Sequence, residues 1–200
     1  DGRAGGLGYT LRGDLLGDAV TESGDAELRE GLLSFTLGER TDIRVGRQIL
    51  TWGTGDLLFI NDVFPKDWES FLIGRDEDYL KAPSDALRST WYGDSITLDL
   101  VATADFQPDR YVDGERLSYF GGPVGQTAEP ISPLVEEPDG GELAVRLATR
   151  RDSNEYALYG YRGYTPQPDD RRGQFQGRLG HTRLNVIGAS LRRPVGPGIG

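Results

Sequence analysis

The sequence predicts an all-β fold: an antiparallel transmembrane β-barrel, about eight strands of which lie in this chain, with a short helix in a long loop. Three observations carry that expectation. Segments that alternate apolar and polar residues are joined in the order short, long, short, long. Tight turns fall at Gly38-Glu39-Arg40-Thr41, Gly93-Asp94 and Arg151-Asp152-Ser153-Asn154, and polar stretches at about 53–86, 105–141 and 165–180. A meander with tight turns at one rim and long loops at the other is how outer-membrane barrels are built, whereas a soluble sandwich has no physical reason to sort its loops by end. Hydrophobic residues make up only 36% of the 200 residues, low for a soluble core of that size. A barrel with a wet interior needs only the lipid-facing half of each strand to be apolar.

Leu7–Leu15 is the first expected strand. Glu27–Leu37 follows, with Leu33, Phe35 and Leu37 opposing Ser34 and Thr36. In Asp42–Trp52, Ile43 and Val45 face away from Arg44, Gly46 and Gln48, and Arg47 falls on the apolar parity, which predicts a bulge or the membrane edge there. The stretch Lys66–Ile73 breaks the period of two. Trp68, Phe71 and Leu72 recur at helical spacing, Pro65 stands where a first turn tolerates it, and Asp67 and Glu69 suit the helix dipole. Leu87–Tyr92 resumes the strands. Ser95–Ala104 is the clearest of them, with Ile96, Leu98, Leu100, Ala102 and Ala104 opposing Ser95, Thr97, Asp99 and Thr103, long enough for a tilted bilayer crossing. Glu142–Arg150 repeats the pattern, Leu143, Val145, Leu147 and Thr149 against Arg146 and Arg150. Asn154–Tyr164 is rich in Tyr on both parities, and Arg183–Leu191 closes the set.

No apolar run approaches the ~20 residues of a membrane-spanning helix. Cysteine is absent, which excludes a disulfide scaffold and a thiolate metal site. The net charge of −10 argues against nucleic-acid binding, which needs a basic face. Arg outnumbers Lys 20 to 2, which reads either as genomic composition or as planar guanidinium groups lining a pore. The chain contains no Met, begins Asp1-Gly2-Arg3 and ends in Pro194-Val195-Gly196-Pro197-Gly198-Ile199-Gly200, a turn into another strand. It is therefore expected to be a single barrel segment, 1–200, of a longer protein.

Few residues suggest chemistry. The acidic loop Asp105, Asp109 and Asp113-Gly114-Glu115 departs from calcium-loop spacing and reads as a solvated outer loop. His181, the only histidine, has no assignable partner, and Gly53-Thr54-Gly55 lacks a dinucleotide-binding context and reads as a turn. No catalytic residue, metal site or cofactor is expected.

Arg44-Val45-Gly46-Arg47-Gln48-Ile49-Leu50-Thr51-Trp52-Gly53 resembles a strand signature of porin-like proteobacterial outer-membrane proteins, akin to alginate-export and other substrate-specific porins. Ile60-Asn61-Asp62-Val63-Phe64-Pro65-Lys66-Asp67 and Leu80-Lys81-Ala82-Pro83-Ser84-Asp85-Ala86-Leu87-Arg88 resemble two further segments of that group, in the same order. The resemblance spans about residues 40–105. It implies a bacterial outer-membrane barrel with channel function, larger than eight strands, and supplies no substrate.

The leading expectation is a non-enzymatic outer-membrane channel for small or oligomeric polar solutes, its partners being membrane lipid and a polar solute or oligosaccharide. Strand parity names Arg44, Gln48, Thr97, Asp99, Arg146 and Arg150 as pore-lining. The helical segment names Asp67, Trp68, Glu69 and Asp76 as a constriction on the inner wall. A soluble extracellular or periplasmic β-sandwich binding carbohydrate through Trp52, Trp68 and Trp91 is the alternative, and a barrel scaffold for surface polysaccharide export is a third.

Overall fold

The computed structural model describes residues 1–19, 22–52, 62–112, 117, 134–169, 178–195 and 198–199. Its strands are β1 (Gly2–Ala4), β2 (Leu7–Asp18), β3 (Ser23–Leu37), β4 (Thr41–Ile49), β5 (Pro83–Tyr92), β6 (Ile96–Thr103), β7 (Leu134–Glu136), β8 (Leu143–Arg151), β9 (Asn154–Tyr164), β10 (Arg178–Gly180), β11 (Arg183–Arg192), β12 (Pro194–Val195) and β13 (Gly198–Ile199). Nine of them form one antiparallel sheet in the order β1-β2-β3-β4-β5-β6-β8-β9-β11. All eight expected strands are in it. Among the described residues β1 and β11 do not pair with each other, so the sheet is open and closure into a barrel is not found.

Connections 50–82, 104–142 and 165–182 leave the sheet at one rim, and the tight turns at Gly38, Gly93 and Asp152 lie at the other. Within the loops β7 and β10 pair in parallel. Residues 83–86, expected as loop, are strand. Pro83 opens β5, a position that tolerates the missing N–H, and Ser84–Ala86 pair with Gln48–Gly46. The turn Gly53-Thr54-Gly55 and the acidic residues Asp113 and Glu115 lie outside the described residues.

Of the two alternatives at Arg47, a bulge or the membrane edge, the bulge is not there. β4 pairs residue for residue with both neighbours, and the register shifts between β2 and β3 at Arg12/Gly13, opposite Arg29. What distinguishes the Arg47 region is Gly46, at φ +122°, where a Cβ would lie 2.3 Å from the Gly31 carbonyl oxygen. Only glycine permits β3 and β4 to approach so closely in that conformation. Arg47 itself pairs with Asp85 on the apolar face at 2.6 Å.

Successive side chains alternate between faces, so the register assigns every residue to one of two. One face carries Leu7, Tyr9, Leu11, Leu15, Leu33, Phe35, Val45, Leu87, Leu100, Leu147, Leu158 and Ile187, all exposed, Leu15 at 88% and Ile187 at 94%. The other carries charged, hydroxyl and small residues and lies beneath the loops. Here Leu50, Trp52 and Phe64 pack on Ala86, Val101, Ala144, Ala148, Ala157, Tyr159 and Tyr161. The core therefore sits on the polar face, and the apolar face is bare.

Candidate functional site

The covered face is built from strand positions that the register lines up. Asp99 on β6 stands between Thr90 on β5 and Arg146 on β8. Its carboxylate accepts hydrogen bonds from Arg88 Nε and Nη2 at 3.0 and 2.5 Å, the Thr90 hydroxyl at 2.6 Å and the Trp52 indole N–H at 3.0 Å. Beside it Glu155 accepts from Arg146 at 2.9 Å and Arg150 at 3.1 Å, and the Tyr159 and Ser190 hydroxyls meet at 2.9 Å. Charges of both signs alternate along this face at hydrogen-bonding distance.

Arg44, Gln48, Thr97, Asp99, Arg146 and Arg150 all share the covered face, but they are not equally open. Arg44 and Arg150 are exposed and Thr97 and Arg146 half-buried, whereas Gln48 and Asp99 are buried. Gln48 donates to the Ala86 carbonyl at 3.0 Å. The reason lies in the connection after β4. The expected strand stops at Ile49, and Leu50 and Trp52 fold back onto the sheet, so those two polar side chains act as a bed for the loop instead of a water-facing wall.

The helical segment also differs from expectation. It spans Trp68–Leu72, five residues, capped by the Asp67 carboxylate on Ser70 N–H at 2.8 Å. Its apolar side does not pack on the wall: Phe71 is 43% and Leu72 58% exposed. Asp67 is buried in its cap and pairs with Arg110, Trp68 and Glu69 are half-buried, and Asp76 is exposed as the cap of a 3-10 turn at Glu77–Tyr79. The contact with the sheet is made by Trp52 and Phe64, whose rings meet edge-on at 4.8 Å. Helical periodicity marked the segment but could not say which of its neighbours folds inward.

The loops hold one another through Asp109, Lys66 and Arg110. Asp109, expected in a solvated loop, is buried. Its oxygens accept the Lys66 backbone N–H at 2.8 Å and the Trp68 indole at 2.6 Å. Burial pushes the Asp109 carboxyl up, against the pull of those donors, and pushes the Lys66 ammonium down, against the attraction of Asp62 and Asp109. Arg110 reaches Glu27 on β3, and that contact holds its guanidinium above the usual range. Arg29, buried at the β2–β3 bulge, donates to the Asp78 carbonyl at 2.7 Å and lies over the Tyr79 ring. His181 is fully buried, its Nδ1 2.7 Å from the Thr165 carbonyl oxygen and its ring against Phe106 at 4.6 Å. Its Nε2 is buried without a hydrogen-bond partner among the described residues.

Glu142, at the entry to β8, was not singled out by sequence. It accepts the Tyr161 hydroxyl, and its backbone N–H donates to the Thr103 hydroxyl at 3.0 Å. Burial pushes its carboxyl up to about 7, helped by the nearby Asp109. No sequence signal marks such a residue, because the burial comes from loops distant in the chain.

Among the described residues no group of three His, Asp or Glu is placed to hold a metal ion, and no helix is long and apolar enough to cross a membrane. Comparison with family models, curated proteins and solved structures finds no match. The geometry alone defines the class: an all-β chain with one large antiparallel sheet, polar on its covered face and apolar on its bare face.

Proposed function

We propose that this chain is wall and inner lining of an outer-membrane channel for polar solutes. The observation that carries the proposal is the polarity of the sheet. A soluble sheet exposes its polar side and covers its apolar side. Here the loops cover the polar side, and an apolar face interrupted by the Arg47–Asp85 ion pair is left bare, with large side chains exposed on strand after strand. Hydrocarbon is the solvent that favours such a face.

The slant of the apolar band supports the same reading. On β2 it reaches Leu11 and Leu15, toward the long-loop rim. On β9 and β11 it has moved to Tyr156, Leu158, Ile187 and Leu191, toward the tight turns. The register row that begins Tyr9, Leu33, Val45 and Leu87 ends on Arg162 and Asn185. Strands tilted about 35–45° from a barrel axis produce that drift, because a belt level with the membrane crosses successive strands at different residues. The open edges β1 and β11 are where further strands would complete the wall.

In this reading Arg44, Thr97, Arg146 and Arg150 face the water path, and Trp52 with Phe64 narrows it. The test is reconstitution in planar bilayers. Stepwise ion conductance is expected, larger in Trp52→Ala. Recovery of the protein from cells as a monomer without detergent, with no conductance, would overturn the proposal.

A further inference from the structure

The register places Arg3, Gly8, Ser34 and Arg44 in one row across β1, β2, β3 and β4, all on the covered face. Three strand intervals put the two arginine Cα atoms about 14 Å apart, with the small residues Gly8 and Ser34 as floor between them. A Cβ on Gly8 would stand 2.5 Å from Ser34 Oγ, so any larger residue there displaces that hydroxyl and fills the floor. Thr10 and Thr36 flank the row. The resulting cleft has a volume of about 510 Å³.

The charges in this cleft are not balanced. Arg3 and Arg44 are exposed, and neither takes an ion pair or hydrogen bond among the described residues. Arg88, opposite Arg44 in the register, is already neutralised by Asp99. Of the two carboxylates at the wall, Glu30 pairs with Arg12 at 2.9 Å and Asp42 accepts the Thr36 hydroxyl at 2.9 Å. Two free guanidinium groups thus face one carboxylate in a chain whose net charge is −10.

We infer that this cleft is a binding site for an oxyanion, carboxylate or phosphate, carried by a small polar solute. A guanidinium presents parallel N–H donors matched to two oxygens of such a group, and two of them, on β1 and β4 at either side of a small polar floor, can grip it from both sides. The hydroxyls of Thr10 and Ser34 supply further donors. The inference rests on the channel reading only for placing the cleft beside a water path; the anion chemistry stands without it.

The test is calorimetric titration of the folded chain in detergent micelles at low salt, with sodium phosphate and with succinate as separate probes. Saturable binding of at least one probe is expected, phosphate alone assigning a tetrahedral oxyanion and succinate alone a carboxylate. Arg44→Gln and Arg3→Gln should each weaken binding about tenfold. Arg192→Gln, an exposed cation at the opposite edge of the sheet, should bind as wild type. Arg3 lies exposed in a three-residue edge strand, so its variant keeps the test decisive even where Arg44→Gln misfolds. No saturable binding of either probe up to about 10 mM, or unchanged affinity in the arginine variants, overturns the inference. Conductance without anion binding sinks this site and leaves the channel; anion binding without conductance does the reverse.

Discussion

Four hydrogen bonds converge on Asp99, from Arg88 twice, Thr90 and Trp52, and they join β5, β6 and the loop after β4 at one buried carboxylate. Asp99→Ala leaves the Arg88 charge and the Trp52 indole without their acceptor beneath the loop. A loss of about 3 kcal/mol is expected, read as a shift of the urea unfolding midpoint in micelles. A loss below about 1 kcal/mol would show that the loop is held elsewhere. Glu142 predicts a pH dependence. Its carboxyl keeps a proton up to about 7 in the folded chain, against an ordinary value of 4.5. The folded state therefore binds more protons between those values, and stability falls as pH rises from 4.5 through 7, by about 3 kcal/mol at most. Limited proteolysis of the long loops should accelerate between pH 5.5 and 8.5, and Glu142→Gln should remove most of that slope.

At the scale of elements, the two faces of β6 predict opposite tolerances. Leu98→Arg directs a charge onto the apolar face and should cost about 2–4 kcal/mol if that face meets hydrocarbon. Thr97→Arg points to the polar side and should refold into lipid vesicles nearly as well as wild type. The reverse ranking would invert the face assignment. The loop between β4 and β5 makes a second contrast. Trp52 packs on Phe64 and lies 6.1 Å from Tyr159, so Trp52→Ala should cost about 3–5 kcal/mol. Leu72 on the short helix is exposed, and Leu72→Ser should change stability by no more than about 0.5 kcal/mol. Equal effects would place the helix, and not Trp52, against the sheet.

For the whole molecule, the bare apolar face predicts behaviour in solution. The chain should partition with outer-membrane material, require detergent for extraction and show heat-dependent gel mobility. Alternation of period two was enough to locate the strands from Leu7 to Leu191, because a strand with one apolar and one polar face writes that period into its own residues. It also separated Arg44, Thr97, Arg146 and Arg150 from their neighbours on the apolar face. Loop lengths, read directly along the chain, sorted the two rims.

Contacts between segments far apart in sequence were decided only by the folded chain. Trp68, Phe71 and Leu72 recur at helical spacing, yet Trp52 and Phe64 cover the polar face. Their fit depends on Ala144, Ala148 and Ala157, roughly a hundred residues away, leaving room above the sheet. The burial of Asp109 and Glu142, the bulge opposite Arg29 and the row joining Arg3 to Arg44 are likewise consequences of register and loop packing. The sequence by itself determined the strands, their two faces and the order of their connections, all local properties of the chain. Which polar side chains lie open, which are buried and which stand together depends on long-range pairing, and that was settled by tertiary structure alone.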